Sequence, residues 1–379
     1  MGKETGKPTE RKDWLEEFSD RVKAQLEQNQ LDREKRAAER AKKKEKQENE
    51  QEAKKKKALA LQKKKKEEEE NSRKLEGILA RLPHKKAKPG LVHGVLILEG
   101  GAYRGMYTAG VIDVLMENGI NFTTTIGISA GGLCGLNYQS GQVGRGAYMN
   151  LKYRHSPSYV GLKAMMKENG FVGFQEMLYG DASLEIPLNE KRLMDPKRKM
   201  YAVITALDDG EPYYQDIGKS ANFIEAMHFA QASGSVPIVS QPVRIRNRYY
   251  LDGGCADKIP IEWALNRFED KKIVVVKTVD KSFRKGNMSI SEKKALEIGF
   301  SRYPTFANRV IKGNQSYNRK LELLDKLEEE KRIYLFQPEE PVDFQMFEGD
   351  MQKLAALYWS ARKQTEKELP ALKEYLARK

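Results

Sequence analysis

A chain of 379 residues is long enough for one large domain or two average ones. Its net charge of +14 is uneven: residues 1–90 hold 28 Lys and Arg against 19 Asp and Glu, and the remaining 289 residues hold 40 against 35. A globular part so close to balance argues against a nucleic-acid enzyme, and two cysteines and four scattered histidines argue against a zinc site or a disulfide framework.

Residues 1–13 are polar and read as disordered. Trp14, Leu15, Phe18, Val22 and Leu26 then recur at helical spacing, as in a short amphipathic helix. From Asp32 to Asn71 the composition is nearly all Lys, Glu, Gln, Arg and Ala, with Lys63 to Lys66 followed by Glu67 to Glu70. These residues favour helix and support i,i+4 ion pairs, yet the a and d positions of a coiled coil are empty. A solvated single helix or a fluctuating coil is expected. Its role stays open between a solubilising tail and an electrostatic tether to anionic membrane. Pro83 and the stretch His84 to Gly90 read as a linker, so the expected division is a charged arm over 1–90 and a folded domain over 91–379. No signal-peptide pattern and no apolar run of spanning length stand out, so the expected location is cytoplasmic, with peripheral membrane contact through the arm.

At Leu91 the composition changes. Val92 to Leu98 is an apolar run suited to a buried parallel strand, and Glu99-Gly100-Gly101-Ala102-Tyr103-Arg104-Gly105 follows it. A helix comes next, with Tyr107, Val111, Ile112, Val114 and Leu115 as its apolar face and Asn118-Gly119 as its end. The β-branched run Thr123 to Ile126 is a second strand, and Gly127-Ile128-Ser129-Ala130-Gly131 leads from it into a small-residue helix. A serine between small residues at a strand-to-helix turn is the pattern of a nucleophile elbow, although packing alone can also produce it. The glycine turn fails the dinucleotide pattern because Ala102 stands at its middle position, and a Walker loop fails because Tyr213 stands where the leading glycine belongs. Its remaining use is as an anion hole, since consecutive glycines let backbone N–H groups face one point.

Met165, Met166, Phe171, Val172, Phe174, Met177 and Leu178 make a Met- and Phe-rich section, readable as ordinary core or as an adaptable wall for an acyl chain. Tyr201 to Leu207 and Glu211 to Gln215 read as strands, and Asn222 to Gln231 as a helix. A hairpin across Asn247-Arg248 delivers Asp252-Gly253-Gly254, which is either a plain turn or an acid facing a pocket. Lys272 to Lys277 and Arg332 to Phe336 are further strands, with helix from Ser291 to Glu330 and from Asp350 to Arg378. Cys134 and Cys255 read as small buried spacers or reactive thiols.

Three features thus stand in order: glycine turn, Gly-x-Ser-x-Gly elbow and Asp-Gly-Gly. No histidine follows the acid, so the α/β-hydrolase triad order is absent. The combination resembles the patatin-like phospholipase family, in the manner of its bacterial single-domain members. The likeness extends through Ala232 to Pro237 and Asp257-Lys258-Ile259-Pro260, and covers Leu91 to about Leu376. It implies a three-layer α/β fold around a mostly parallel sheet, preceded by the charged arm. It also implies a lipid acyl hydrolase using a Ser–Asp dyad and no cofactor, with Ser129 as nucleophile and Asp252 as proton acceptor. Gly100, Gly101, Ala102 and Ala130 would form the oxyanion hole. Arg104 is a candidate for a phosphate headgroup, and Phe171 and Phe174 for the acyl chain. Acyl transfer on the same dyad and a silent interaction protein are the competing readings; nucleic acid is not an expected partner.

Overall fold

The computed structural model describes residues 8–378. Two compact units divide the chain, residues 1–74 and 75–379. Helix α1, Pro8–Leu79, runs through the charged stretch. Its composition explains it: helix-favouring side chains, with exposed i,i+4 ion pairs such as Glu52–Lys56 at 2.9 Å and Glu70–Lys74 at 2.6 Å. The expected disorder over 1–13 does not hold from Pro8 onward, and residues 1–7 lie outside the described residues. Of the expected amphipathic stripe, Phe18, Val22 and Leu26 are exposed, while the side chains of Trp14 and Leu15 lie outside the described residues. No helix among the described residues is long and apolar enough to cross a membrane.

The second unit begins inside the last turn of α1. Leu75, Ile78 and Leu79 pack with buried Leu82, Tyr103 and Met106. The stretch read as a linker is fixed as well: Lys85–Lys86 pairs antiparallel with Gln142–Val143, and Ala87 is buried. The sequence reading failed here because short polar pairing has no apolar signature.

Eight strands form the central sheet: β1 Val92–Leu98, β2 Phe122–Ile128, β3 Lys199–Ala206, β4 Pro212–Asp216, β5 Val243–Ile245, β6 Arg248–Asp252, β7 Lys272–Val276 and β8 Ile333–Phe336. The order is β8-β7-β1-β2-β3-β6-β5, with β4 paired to β3. Strands β8, β7, β1, β2 and β3 are mutually parallel, and β4, β6 and β5 add antiparallel pairs. The two-residue period of a strand sorts the side chains into two cores. Leu96, Leu98, Val274, Val276 and Phe336 face one side, against α2 (Gly105–Glu117) and α7 (Met351–Ala377). That same face carries α3 (Ala130–Ser140) and α4 (Phe223–Gly234), which cover Met200, Ala202 and Ile204 of β3. Val95, Ile97, Ile126, Val203 and Val275 face the other side, against α5 (Ile261–Arg267) and α6 (Pro304–Glu329). The result is the three-layer α/β arrangement, helices over both faces of a mostly parallel sheet.

The helical section expected over 291–330 is two helices. A capping box of Ser289 and Glu292 starts Ile290–Gly299, and Pro304 at the first turn of α6 starts the next.

Candidate active site

Strand pairing brings the serine and the acid together. β2 ends at Ile128, opposite Val203 of β3, with β4 occupying the other side of β3. Beyond that point β6 takes the place of β2, and its last residue, Asp252, lies opposite Ile204, one step further along. The residue after β2 and the final residue of β6 therefore meet at one strand end, where open α/β sheets characteristically place ligands.

Ser129 follows β2 and precedes α3 with φ 57° and ψ −126°. A non-glycine residue in this region is strained and persists because its surroundings fix it. Those surroundings need glycine on both sides. A Cβ at Gly127 would lie 2.6 Å from the Gly131 carbonyl oxygen, and one at Gly131 would collide with the Leu98 carbonyl. The Ser129 N–H donates to Ser233 Oγ at 3.2 Å, and the Ser129 carbonyl accepts from Gly132 N at 2.9 Å.

Beside the serine lies the glycine turn. Glu99, 4% exposed, anchors it from below: its carboxylate accepts from Thr278 N at 2.7 Å and from the Tyr317 hydroxyl. Thr278 Oγ1 donates to the Gly100 carbonyl at 2.8 Å. Because a trans peptide sets C=O and N–H on opposite sides, the Gly101 N–H is turned away from Thr278. Arg104 N donates to the Gly101 carbonyl at 3.0 Å, which fixes the Ala102 N–H in the same manner. Ala102 itself adopts φ +49°, so alanine tolerates here the left-handed turn that a third glycine would take without strain. A Cβ at Gly100 would sit 2.7 Å from Ser129 Cβ, and only glycine leaves the space over the hydroxyl open. The N–H groups of Gly100 and Gly101 donate to no acceptor among the described residues. Ala130 opens α3, where backbone N–H groups have no intrahelical partner.

Asp252 is 4% exposed. Its N–H donates to the Ser235 carbonyl at 2.8 Å, its carbonyl accepts from Thr205 Oγ1 at 2.9 Å, and its Oδ1 accepts from Gly254 N at 2.7 Å. Oδ2 is buried with no hydrogen-bond partner among the described residues. Burial pushes the Asp252 pKa up to about 6, although the nearby Ser129 hydroxyl, the Gly254 N–H, Lys258 and Lys285 all pull it down. In this geometry the serine and the acid are close but not hydrogen-bonded, a spacing that apo sites often show before substrate closes it. Gly253 is glycine because a Cβ would collide with the Val203 carbonyl.

Two cavities meet at Ser129. One, of about 440 Å³ and the more polar of the two, includes Gly100, Arg104, Asp252, Lys258, Lys285 and Tyr317 in walls that also hold Val236, Met288, Val310 and Phe344. The other, of about 100 Å³, is apolar and narrow, with Leu133, Val172, Phe174, Met177 and Val236. Phe174 therefore lines the apolar cavity, whereas Phe171 lines neither of these two; its ring packs against Phe347 at 4.8 Å. Arg104 lines the polar cavity with its guanidinium 6.0 Å from the Phe283 ring. None of the four histidines lines either cavity. Both thiols are buried and pushed up, Cys134 to about 12 and Cys255 well above its ordinary value, which leaves them as packing groups.

Residues 96–265 match the family described as Patatin-like phospholipase. This stretch of the chain, under half of its length, is what resembles that family. Residues 303–377 match a second family, described as a Domain of unknown function (DUF6363). The "Uncharacterized protein YjjU" of Escherichia coli (strain K12) is 28% identical over 208 residues, 54% of this chain and 56% of that one. The match thus spans about half the length of that relative. VipD from Legionella pneumophila, known from a crystal structure, aligns over 76% of this chain and 70% of its own, with 14% identity and a TM-score of 0.36.

The patatin-like segment holds the glycine turn, Ser129, Asp252 and Lys258, but it does not enclose them alone. Tyr317 and Asn314 of α6, and Phe344 and Met346 before α7, come from residues 303–377 and complete the polar cavity. Lys285 comes from the connection between the two matched segments. Sequence reading missed these contributors because nothing local marks them. Lys258 was visible only as part of Asp257-Lys258-Ile259-Pro260.

Proposed function

We propose that this protein is a serine acyl-ester hydrolase acting on lipids, working through an acyl-Ser129 intermediate. The observation that carries the reading is a strained serine beside a buried carboxylate with one bare oxygen, at the junction of a polar and an apolar cavity. The family match over residues 96–265 supports the general class of hydrolase.

In the first half-reaction Ser129 Oγ attacks the ester carbonyl carbon while its proton passes to Asp252 Oδ2. The carbonyl oxygen becomes an oxyanion facing the N–H groups of Gly100, Gly101, Ala102 and Ala130. Collapse breaks the ester C–O bond, and the departing alcohol takes the proton from Asp252. In the second half-reaction water attacks the acyl carbon and gives its proton to Asp252, and Ser129 recovers a proton as the fatty acid leaves. A carboxylate of pKa about 6 is a better base than one near 4, and general-base help of this kind typically contributes about 10²–10⁴-fold. Losing one oxyanion donor typically costs about 3–4 kcal/mol.

Fluorophosphonate labelling and turnover of p-nitrophenyl butyrate test this directly. Labelling is expected at Ser129 and is expected to vanish in Ser129→Ala, with ester turnover lost in Ser129→Ala and Asp252→Asn while both variants keep the wild-type circular dichroism spectrum. Retained turnover in either folded variant removes the dyad.

A further inference from the structure

Lys258 and Lys285 both reach the polar cavity beside Ser129, and among the described residues neither forms an ion pair with a carboxylate. Both are held in place rather than trailing into solvent. Lys258 Nζ donates to the Gly254 carbonyl at 2.7 Å and lies against Gly313, where an added Cβ would stand 3.0 Å from it. The backbone of Lys285 is clamped to α6 by two hydrogen bonds to Asn318, each 2.9 Å, and its ammonium lies 5.4 Å from the centre of the Tyr317 ring. Desolvation lowers the pKa of both lysines, and the charge of Lys258 lowers that of Lys285 further, to about 8. Two cations confined together is a costly arrangement unless something supplies negative charge.

The walls of the cavity do not supply it in full. Three cationic side chains, Arg104, Lys258 and Lys285, face two carboxylates, Glu99 and Asp252. The Glu99 oxygens are already engaged by Tyr317 and Thr278. One Asp252 oxygen is taken by the Gly254 N–H, and Arg104 Nε is buried without a partner. The cavity therefore carries an excess of positive charge beside Ser129, where the apolar cavity also opens.

We propose that Lys258 and Lys285 bind the phosphate of a net-anionic lipid headgroup and select it over a zwitterionic one. The acyl chain then lies in the apolar cavity and its ester at Ser129. A choline-type headgroup would bring its own cation to a cavity that already holds three, whereas a phosphate monoester completes their charge and offers several acceptors to charge-assisted donors. The location of the ester rests on the hydrolase reading; the anion site does not.

Binding to Ser129→Ala protein separates the two, because it needs no turnover. Dihexanoyl phosphatidic acid and dihexanoyl phosphatidylcholine, both below their micelle-forming concentrations, are titrated by calorimetry. The phosphatidic acid is expected to bind at least about tenfold more tightly, and Lys285→Met in the same background to bring the two within about threefold. Lys258→Met should do the same; if that variant is unstable because Lys258 braces Gly254, Lys285→Met decides alone. Equal affinities in the Ser129→Ala protein, or a preference that survives Lys285→Met, overturn the proposal. Competition with inorganic phosphate and glycerol 3-phosphate distinguishes the source of the anion: both are expected to compete about a hundredfold more weakly than the lipid, and equal competition overturns the lipid assignment. Fluorophosphonate labelling of the wild-type protein reports on the hydrolase reading independently.

Discussion

Burial raises the Asp252 pKa from 3.8 to about 6, and this one shift would act on the proposed catalysis and on folding in opposite directions. In the proposed mechanism the charged form is the base, so activity on a neutral ester should fall on the acid side with an apparent pKa near 6 rather than near 4. For folding, the folded state holds the proton more tightly than the unfolded state between pH 3.8 and 6. The favourable contribution of the group is therefore fully present below the unfolded value and is lost as pH rises through about 6. Above that, a charged Asp252 costs on the order of 3 kcal/mol, taking about 1.4 kcal/mol per pKa unit. Asparagine keeps an oxygen for the Gly254 N–H and carries no charge. Asp252→Asn should thus be inactive yet melt several degrees higher than wild type at pH 8, with the difference shrinking toward pH 4. A variant that melts lower at pH 8 contradicts this account of the acid.

Two elements of the site were legible before any coordinates because their constraints are local. The β-branched run of β2, the small-residue start of α3 and the glycines around Ser129 all lie within twenty residues, and each has its own physical reason. Gly131 gives the sharpest case, since α3 crosses so close to the end of β1 that a methyl group would strike the Leu98 carbonyl. Gly131→Ala should therefore destabilise the protein by at least about 3 kcal/mol, with loss of soluble expression or a large drop in denaturation midpoint. Gly299→Ala is the control, since an added Cβ meets nothing within 4 Å, and it should leave stability within about 0.5 kcal/mol. A mild effect at Gly131 means that α3 can retreat from β1. The Met- and Phe-rich section was only half legible: composition marked it as apolar, but whether a ring faces a cavity depends on partners far away. Phe174 turns toward Leu133 and Gly234 and lines the cavity, while Phe171, three residues earlier, packs on Phe347. Lys285 and Tyr317 were illegible for the same reason. A lysine in a polar loop and a tyrosine on a long helix gain their meaning only when α6 folds across the end of β1 and presents Tyr317 to Glu99.

At the scale of the whole molecule, the charge change and the fold change do not coincide. Charged composition continues to about residue 90, yet Leu75, Ile78, Leu79 and Leu82 already belong to the packed core around Tyr103 and Met106, next to the glycine turn. Removing residues 1–74 takes away one compact unit, in which the described side chains Val22, Leu26 and Leu31 are exposed and the pairs Glu17–Arg21, Glu52–Lys56 and Glu70–Lys74 are solvated. Such pairs are worth about 0.2–0.5 kcal/mol each to the helix that holds them. The chain from Leu75 onward should therefore keep the melting temperature of the globular unit and its turnover of soluble esters. Cutting eleven residues further, at residue 85, strips four apolar side chains from that core and breaks the pairing of Lys85 with Val143. At about 1–3 kcal/mol for each buried aliphatic side chain, that shorter chain should unfold or melt far lower. The same pair of truncations tests the tether. If the basic arm binds anionic membrane, vesicles rich in phosphatidylglycerol should retain the full chain at low salt and release both it at high salt and the 75–379 chain at any salt. Equal retention of the full and 75–379 chains assigns membrane contact to the globular unit and leaves the arm as a solubilising helix.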